Sequence, residues 1–408
     1  MSQEFIENGY SIANFSDFAD IYIVNTCTVT NIADRKSRQM LRRVKEINPN
    51  SIVVACGCYA QVGKEELKKI QEIDLIIGNN EKKNIVEIIE NFIQNKNTKE
   101  NEIVTDVMYQ KEYIEFGNTT YTEKTRAVVK IQDGCDRFCS YCIIPYARGR
   151  VRSRKLENVI EEAKKIVENG IKEIVITGIH IASYGKDFNE NIKLIDLLEN
   201  LNKVDGLHRI RLGSLEPTII TEEFAERLSK LDKICDHFHL SLQSGCDETL
   251  SRMNRKYTTK EFENVTKILR KYFPNVLLTT DIIVGFPGET DNEFKETYKF
   301  LEKIAFYKMH VFKYSPRKGT KAAIMPNQID GAIKEQRSRK LIELSNKNEK
   351  NYNHSYIGKQ VEVLFEEKNG NYYKGHTKNY MMVMLEGEKL ENKIINCTIT
   401  NEEGYAVE

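Results

Sequence analysis

Short apolar runs and helical spacings alternate through the first part of the chain. The apolar runs cover residues 21–25, 51–55 and 75–78. Continuous apolar runs of this length are typical of parallel strands that are buried on both faces. Residues 34–47 and 65–70 repeat apolar positions at helical spacing between these runs. The pattern predicts a three-layer domain with a parallel sheet over residues 1–94, and the polar stretch after it predicts a linker over residues 95–125.

The central part of the chain repeats one unit of strand and helix. Six strand-like runs cover residues 127–132, 173–177, 209–212, 237–240, 277–284 and 308–314. A helical pattern follows each of the first five, as in residues 156–169 and 292–304. Such alternation predicts a parallel sheet, and six units are too few to close an eight-unit barrel. We therefore predict an open, partial (β/α)6 barrel over residues 126–330.

A charged helix and a β-rich segment complete the pattern. Residues 333–352 predict most of a connecting helix over residues 331–356. Short strand-like runs then cover residues 360–365, 381–385 and 394–400, and glycine and asparagine interrupt them. Interrupted runs of this kind are typical of a small all-β barrel, here over residues 357–408. The predicted fold class is thus α/β with a small all-β domain at the end.

Composition narrows the class of protein. The chain has 408 residues, of which 40% are hydrophobic and 30% are charged, with a formal net charge of +1. A charge this close to zero provides no global attraction for a polyanion, so nucleic-acid binding would need local basic patches. The first ten residues contain acids and no apolar run, and no stretch is apolar enough for a membrane helix, so we expect a cytoplasmic protein with no membrane partner. Nine cysteines, an odd number, favour metal or catalytic roles over disulfides.

Three of these cysteines are clustered as C-x3-C-x2-C. Cys135, Cys139 and Cys142 lie in the loop directly after the first barrel strand, where barrel folds place their chemistry. A 4Fe–4S cluster has four irons, so three thiolates leave one iron available to a small molecule. A structural zinc site completed by a distant fourth ligand is the alternative.

The cysteine motif, with Tyr141 before its last cysteine, resembles that of the radical S-adenosylmethionine (SAM) superfamily. The resemblance implies that SAM chelates the available iron through its amino and carboxylate groups and is cleaved to a 5′-deoxyadenosyl radical. It assigns cluster binding and catalysis to Cys135, Cys139 and Cys142. Three further segments, residues 174–178, 209–217 and 281–289, match the family's SAM-contacting strands. The contacts that the resemblance implies are Gly178, Ser214, Glu216 and Gly285.

The N-terminal part narrows the resemblance to the methylthiotransferase branch. The matching segments are Asn-Thr-Cys-Thr-Val-Thr from Asn25, Asp-Arg-Lys-Ser-Arg-Gln from Asp34, and Gly-Cys-Tyr-Ala-Gln from Gly57. In that branch the first domain holds an auxiliary 4Fe–4S cluster on three cysteines, and the last domain is an RNA-binding β barrel of the TRAM type. Cys27 and Cys58 match two auxiliary ligands.

One part of the branch pattern is missing. Family members begin with a strand that ends in the third auxiliary cysteine, and this chain begins after it. Either the start codon has been assigned too far downstream, which we favour, or the auxiliary site is incomplete. Cys56 lies two residues before Cys58 and would point to the opposite face of its strand, so we do not expect it to substitute.

The same resemblance implies the reaction and its partners. The motifs are most similar to enzymes that act on N6-threonylcarbamoyladenosine beside the tRNA anticodon, and imply conversion of C–H to C–SCH3 at C2 of adenine. A first SAM would methylate a sulfur on the auxiliary cluster, and a second would supply the radical. The partners are tRNA and a low-potential electron donor such as flavodoxin or ferredoxin, with no DNA. Alternatives are methylthiolation of isopentenyl-adenosine in tRNA or of a ribosomal-protein aspartate, and a non-catalytic zinc-containing RNA-binding protein.

Three basic or aromatic stretches are candidate RNA surfaces. Residues 148–155 place arginine at every second position, which in an extended segment aims four guanidinium groups to one side. Residues 35–45 place six cations on a helix. For both of these basic stretches, a solvated face or salt bridges to nearby acids are the alternative. The last domain interleaves aromatic and cationic side chains, namely Tyr372, Tyr373, Lys374, His376, Lys378 and Tyr380. A role in the core is equally plausible for half of these tyrosines. We interpret Cys235, Cys246 and Cys397 as small buried side chains, and His180, His239 and His310 as histidines with internal partners.

Overall fold

The computed structural model describes residues 1–95, 101–115 and 125–408. These residues form two compact units. The first comprises residues 1–95 and 101–115 together with Asp133–Arg152 and Ser315–Ile324, and the second comprises residues 125–132, Ser153–Tyr314 and Met325–Glu408. Most of the predicted linker, residues 96–100 and 116–124, lies outside the described residues, so the domain boundaries proposed above stay predictions.

A four-stranded parallel sheet organises the first unit. Its strands, in spatial order, are β1 (Ile21–Thr26), β2 (Ile52–Gly57), β3 (Leu75–Ile77) and β4 (Glu102–Ile103). Its helices are α1 (Ser2–Glu7), α2 (Asn31–Ile47), α3 (Cys58–Val62), α4 (Lys64–Leu67), α5 (Ile85–Gln94) and α6 (Ile144–Arg148). Three 3₁₀ turns, Glu81–Asn84, Val107–Tyr109 and Lys321–Ile324, complete the unit. The three predicted strands are confirmed.

The sheet of the first unit is buried on both faces. Along β2, Val53 and Ala55 pack in one apolar cluster with α2, whereas Val54 and Cys56 pack in another cluster with α5. Neighbouring residues of a strand point to opposite faces, so one continuous apolar run fills both clusters. The Thr30 side chain accepts a hydrogen bond from the Ala33 amide at 3.1 Å and begins α2 directly after the end of β1.

The second unit contains the predicted half-barrel. Its strands are β5 (Arg126–Asp133), β6 (Arg152–Ser153), β7 (Glu173–Gly178), β8 (Arg209–Leu212), β9 (His237–Gln243), β10 (Leu277–Val284) and β11 (Lys308–Lys313). They form two sheets, β6-β5-β7-β8 and β9-β10-β11, which isolated bridges join, such as that between Leu215 and Leu240. The helices are α7 (Leu156–Glu168), α8 (Leu194–Asn202), α9 (Glu222–Ser229), α10 (Asp247–Arg252), α11 (Thr259–Tyr272) and α12 (Asp291–Ile304), with 3₁₀ turns Ile181–Ser183 and Pro217–Ile219. The partial barrel of parallel strands is confirmed.

A long helix leads to a closed barrel at the end of the chain. The helix is α13 (Gly331–His354), and the barrel strands are β12 (Gln360–Asn369), β13 (Tyr372–Thr377), β14 (Met382–Glu386), β15 (Ile394–Ile399) and β16 (Tyr405–Val407). They close in the order β12-β13-β14-β16-β15. The small all-β barrel is therefore confirmed, and β13 and β16 are additions to the three predicted strands. Among the described residues, no helix combines the length and apolar character that a membrane crossing requires.

The C-terminal barrel packs beneath the half-barrel, against the amino ends of its strands. The Tyr380 ring stacks between the rings of His237 and His376, with 4.6 Å between centroids on each side. The Arg211 guanidinium lies 4.7 Å from the centre of the Tyr380 ring and donates to Glu173 at 2.7 Å. These buried contacts make the half-barrel and the C-terminal barrel parts of one packed unit.

Candidate functional site

Cys27 and Cys58 follow neighbouring strand ends in the first unit. Thr26, the last residue of β1, is in register with Gly57, the last residue of β2, and each cysteine is the next residue along its strand. Cys27 is exposed and Cys58 is buried. Gly57 has a φ of 101°, and a Cβ there would lie 2.4 Å from the Thr26 carbonyl oxygen, so this close approach of the two strand ends requires glycine. The sheet thus presents the two predicted auxiliary ligands at the same edge.

The Cys58 sulfur lies among hydrogen-bond donors. Arg148 Nε donates to Cys58 Sγ at 3.0 Å, and Asn79 Nδ2 lies 3.8 Å from the same sulfur. Asn79 also donates to the Ala147 carbonyl oxygen at 2.7 Å, which fixes its amide beside the sulfur. Donors of this kind stabilise a thiolate, which is the form in which cysteine binds iron. Cys58 therefore fits the role of a cluster ligand.

Arg148 joins Cys58 to the loop of the clustered cysteines. Its guanidinium also lies 3.5 Å from Asp133, two residues before Cys135, and its side chain is 24% exposed. Burial alone would lower the pKa of Arg148, but the negative charges of Cys58 and Asp133 raise that pKa above its ordinary value. The guanidinium is therefore a permanent cation at the sulfur. Spacing along the chain could not reveal this contact, because Arg148 and Cys58 are 90 residues apart.

Cys56 lies in a different environment from Cys58. It is fully buried in the apolar cluster that contains Phe5, Val54 and Ile77. Burial raises the pKa of its thiol, with a smaller opposing effect from Lys82. Strand alternation does not support the expectation that Cys56 points away from Cys58, because residues two apart share a face and β2 ends at Gly57. Its apolar surroundings, in which the thiol stays protonated, are what make Cys56 unsuitable as a metal ligand.

The clustered cysteines lie in a compact loop of the first unit. Cys135, Cys139 and Cys142 are all partly exposed. The Cys135 amide donates to the Gly149 carbonyl oxygen at 3.0 Å, and the Cys142 amide donates to the Cys139 carbonyl oxygen at 2.9 Å. Gly134, with a φ of 72°, permits the turn, since a Cβ there would lie 1.7 Å from the Arg150 carbonyl oxygen. Three partly exposed cysteines in one loop fit a cluster with one ligand position left for a small molecule.

The residues implied as SAM contacts follow three strands of the second unit. Gly178 ends β7, Ser214 follows β8 and Gly285 follows β10. A Cβ at Gly178 would lie 2.9 Å from the Gln132 carbonyl oxygen, and Gly285 has a φ of 69°, so both positions favour glycine. The exposed Ser214 hydroxyl lies 2.8 Å from that of Ser241. Tyr141 belongs to the cysteine loop of the first unit and is partly exposed.

Glu216 is held by polar neighbours. It is buried, and its carboxylate oxygen lies 3.2 Å from His180 Nε2 and accepts from the Thr218 hydroxyl at 3.1 Å. The Arg255 guanidinium lies 3.9 Å from its other oxygen. His180 also contacts the Ser183 hydroxyl at 2.6 Å, so the interpretation of His180 as a histidine with internal partners is confirmed. The contact with Glu216 is one that sequence reasoning missed.

The other two histidines lie on neighbouring strands. His239 contacts Thr279 at 2.9 Å and Asp281 at 3.1 Å, which confirms internal partners for it. His310 is exposed and its ring lies 5.6 Å from that of His239. Partial desolvation of its ring, together with the neighbouring His239, lowers the pKa of His310. The interpretation of His310 as an internal histidine is therefore wrong, because its side chain is exposed.

The arginine run does not present four guanidinium groups to one side, so that prediction is wrong. Arg148 contacts Cys58, Arg152 is 3% exposed and lies near Asp133, and Arg154 pairs with Glu162. Arg150 alone of the four is exposed, in a loose pair with Asp136 at 3.4 Å. The acids that pair with these arginines lie elsewhere in the chain, so an acid-free stretch of sequence did not mean an acid-free surface.

The aromatic stretch of the last domain is largely internal as well. Tyr373 is in the core of the C-terminal barrel, and Tyr380 is stacked beneath the half-barrel. The Lys378 ammonium donates to the Asp232 carbonyl oxygen at 2.6 Å, and His376 contacts Glu366 at 2.6 Å. The alternative of a structural role is therefore correct for most of this stretch. Tyr372 stays half-buried at the surface.

A cavity of about 620 Å³ lies beside α2 in the first unit. Buried Arg317 is at its wall and pairs with Asp34 at 2.6 Å, with side-chain exposures of 7% and 10%. Arg317 also donates to Asn31 at 2.6 Å. Tyr59 and Tyr146 supply aromatic surface to the same cavity.

The remaining cysteines are buried, as predicted. Cys235, Cys246 and Cys397 all have low exposure, and burial raises their thiol pKa values to about 12, about 12 and about 11. Cys246 lies with Glu248 and Glu296 in the geometry of a three-ligand metal site, but both acids are exposed, a common arrangement without any ion.

Two protein families match parts of the chain. The radical SAM superfamily matches residues 129–301, and a family described as uncharacterized protein family UPF0004 matches residues 1–78. The two matches cover most of the half-barrel with its cysteine loop and the first three strands of the parallel sheet in the first unit.

Curated relatives align over nearly the whole chain. Threonylcarbamoyladenosine tRNA methylthiotransferase MtaB of Bacillus subtilis (strain 168) is 41% identical over 97% of this chain and 89% of its own length. MtaB of Aquifex aeolicus (strain VF5) is 39% identical over 98% and 95%. The tRNA-2-methylthio-N(6)-dimethylallyladenosine synthase of Alkaliphilus oremlandii (strain OhILAs) is 36% identical over 97% and 85%.

Solved structures share the fold at low sequence identity. The radical S-adenosylmethionine methyltransferase TsrM of Kitasatospora setae, with cobalamin and a 4Fe–4S cluster bound, gives a TM-score of 0.58 at 16% identity. The alignment covers 76% of this chain and 67% of TsrM. The cobalamin-dependent radical enzyme OxsB gives a TM-score of 0.52 at 15% identity, over 85% of this chain and 49% of OxsB.

Proposed function

The chain belongs to the radical SAM tRNA methylthiotransferases, and on that premise we propose that it adds a methylthio group to C2 of N6-threonylcarbamoyladenosine beside the tRNA anticodon. Membership of the family and of the enzyme class confirms the prediction made from the cysteine motifs. The observation that carries the substrate is the 41% and 39% identity to two MtaB enzymes over almost the full chain. The dimethylallyladenosine synthase aligns over a similar length at 36%, which favours the threonylcarbamoyl substrate.

Two cysteine sets divide the chemistry in this proposal. Cys135, Cys139 and Cys142 hold a 4Fe–4S cluster, and Cys27 and Cys58 supply two ligands of a second cluster. When bound, a reduced 4Fe–4S cluster supplies the electron that splits SAM and yields the radical able to remove the hydrogen at C2. That carbon has no acidic proton, so a general base could not activate it.

The protein residues bind and orient the reactants. Gly178 and Gly285 let the backbone at two strand ends pass close to the Gln132 carbonyl oxygen and the Lys334 side chain. The Ser214 hydroxyl and the Glu216 carboxylate are polar groups that suit the hydroxyls and amino groups of SAM, and His180 fixes the Glu216 carboxylate. Arg148 donates a hydrogen bond to the Cys58 sulfur. Tyr141 lies beside Cys142 in the cluster loop, where it would contact the cofactor when that is bound.

We also propose the substrate macromolecule, the cellular compartment and the electron donor of the reaction. The substrate is tRNA, and the reaction takes place in the cytoplasm, where tRNA is matured. Flavodoxin or ferredoxin supplies the electron.

Nucleoside mass spectrometry of tRNA tests the substrate. A strain lacking this gene should lose 2-methylthio-N6-threonylcarbamoyladenosine and accumulate the unmethylthiolated nucleoside. The wild-type gene should restore the methylthiolated nucleoside. A Cys139→Ala gene should fail to restore it at equal protein level. Loss of the methylthio isopentenyl nucleoside instead, or of ribosomal aspartate modification, would assign the enzyme to one of the alternatives. Zinc without iron in the anaerobically purified protein would support a non-catalytic RNA-binding protein.

A further inference from the structure

Helix α2 carries four cations that no part of the described protein uses. Arg35, Lys36, Arg42 and Arg43 are exposed. Among residues 1–95, 101–115 and 125–408, none of these four side chains makes a hydrogen bond, an ion pair or a ring contact. By contrast, Lys45 on the same helix pairs with Asp74 at 2.8 Å. Holding four like charges on one helix without partners is unfavourable for folding, which points to a role outside the fold.

The four cations share one face of α2. The pairs Arg35 with Arg42 and Lys36 with Arg43 are each seven residues apart, which is close to two helical turns. The inward face of the same helix buries Leu41 and Val44 in the core. The result is a basic stripe, formed by Arg35, Lys36, Arg42 and Arg43, that runs for about 12 Å along the helix. At about 3.4 Å between phosphates along one strand, that length spans about four phosphates.

We propose that the basic stripe binds the phosphate backbone of the substrate tRNA, an inference that rests on the function proposed above. The net charge of +1 provides no overall attraction for RNA, so affinity must come from such a local surface. Other candidates from the sequence are used elsewhere, because the arginine run and the C-terminal aromatic stretch are mostly occupied by internal contacts. The stripe lies on the helix that begins four residues after Cys27, so backbone contacts there guide RNA to the edge of the sheet that carries the auxiliary cysteines.

The cavity beside α2 extends this surface. Asn31 and Arg38 of α2 line it, and Tyr146 lies at its wall with 46% of its surface exposed. Its volume of about 620 Å³ lies within the range of about 300–1,000 Å³ that small-ligand pockets occupy. The Tyr146 ring packs edge-on against Phe138 at 5.7 Å, and Arg150 lies 4.9 Å over Phe138. This aromatic surface suits an unpaired base of the same RNA, since every base has a face that can stack.

The salt dependence of tRNA binding separates the contribution of the basic stripe from that of the aromatic surface of the cavity. The stripe variant replaces Arg35, Lys36, Arg42 and Arg43 by glutamine, which is a good helix former, so α2 should persist. Binding of an anticodon stem-loop that carries N6-threonylcarbamoyladenosine is measured across a range of KCl concentrations. We expect at least a tenfold loss of affinity at low salt. The slope of log affinity against log salt should fall in magnitude by about 3, because four phosphate contacts each contribute about 0.7–0.9.

Two further variants sharpen the measurement. The matched control replaces Lys68, Lys230, Lys271 and Lys303 by glutamine, which removes the same charge from cations that already have acidic partners. It should leave affinity within twofold of the wild type. Tyr146→Leu should lower affinity at least fivefold with the salt slope unchanged, because stacking releases no counterions.

Three outcomes would overturn the inference. The stripe variant could keep the wild-type affinity and slope, or the matched control could lose as much affinity as the stripe variant. The stripe variant could also lose flavodoxin-driven SAM cleavage while its tRNA affinity is unchanged. That result would mean that the stripe binds an acidic electron donor instead of tRNA. The proposed function fails separately, because a wild-type protein that binds tRNA by the stripe yet never methylthiolates it would leave this inference intact.

Discussion

Replacing Arg317 by methionine would leave a buried carboxylate without its cation. Arg317 lies in the segment Ser315–Ile324 of the first unit and pairs with Asp34 of α2 at 2.6 Å. Both side chains are at least nine-tenths buried. The same guanidinium donates to Asn31 and to the Thr28 hydroxyl, so it ties a distant segment of the chain to the first turn of α2.

The expected cost follows from that burial. Removing one partner of a buried ion pair typically costs about 3–5 kcal/mol, because the remaining charge is stranded away from water. Methionine keeps most of the volume of the arginine stem, so the cavity contribution is small. A second change, Asp34→Asn, removes the stranded charge, and the double variant should therefore recover about 2 kcal/mol relative to Arg317→Met alone.

Urea unfolding followed by circular dichroism measures the loss. The chain contains no tryptophan, so fluorescence offers no strong intrinsic probe. Hydrogen exchange detected by mass spectrometry then localises the effect, and amides of α2 and β1 should exchange faster while those of the half-barrel do not. The matched control is Arg339→Met, since Arg339 pairs with Glu335 at the exposed surface. Its unfolding midpoint should equal that of the wild type.

Two results would refute this reasoning. An unfolding free energy within 1 kcal/mol of the wild type for Arg317→Met would mean that the buried pair contributes little. Additive effects of Arg317→Met and Asp34→Asn would mean that the two side chains do not depend on each other.

Three further predictions concern the site and its support. Cys139→Ala should abolish reductive cleavage of SAM, and normal 5′-deoxyadenosine formation by that variant would contradict the assignment. Cys58→Ala should keep that cleavage and stop methylthio transfer, so a methylthiolated nucleoside from it would remove Cys58 from the site. Glu366→Gln should be less stable than the wild type by about 3 kcal/mol at neutral pH. Burial raises the pKa of Glu366, but hydrogen bonds from His376 and Arg126 outweigh it and lower that pKa to about 2 from 4.5. Because the pKa is depressed in the folded state, the stability that ionised Glu366 contributes is complete above pH 4.5 and is lost as the pH falls towards 2. Unfolding curves measured between pH 7 and pH 2 check it, and a pH-independent difference would be inconsistent with this cause.

Periodicity predicted the larger elements because their burial depends on local pattern. The strand Leu277–Val284 has the bounds that its apolar run predicts. Strand β13 (Tyr372–Thr377) was missed, because its aromatic and cationic residues suggested a surface. In the structure alternate residues of β13 are buried, and of its polar residues His376 contacts Arg126 of the half-barrel whereas Lys374 pairs with Glu367. Strand β4, with two residues, is too short to leave a pattern.

Motif spacing predicted which cysteines are clustered along the chain, and it could not predict what surrounds them. The donors around Cys58 come from Asn79 and Arg148, which are 21 and 90 residues away. Only the parallel order of β1, β2 and β3 brings Asn79 beside Cys58. The arginine run failed for the same reason, since its partner acids are contributed by the folded chain.

Deleting residues 357–408 would damage more than RNA recognition. Arg209 and Arg211 have side-chain exposures of 2% and 4%, and backbone carbonyl oxygens of His376, Thr377 and Lys378 accept from them. Without that floor, two cations of the half-barrel would lose these acceptors, and Leu277 and Tyr307, which pack against the core of the C-terminal barrel, would be exposed to water. A shortened enzyme that fails to act on tRNA would therefore report a weakened catalytic barrel, and only point changes on the outer surface of the tail can test what the tail binds.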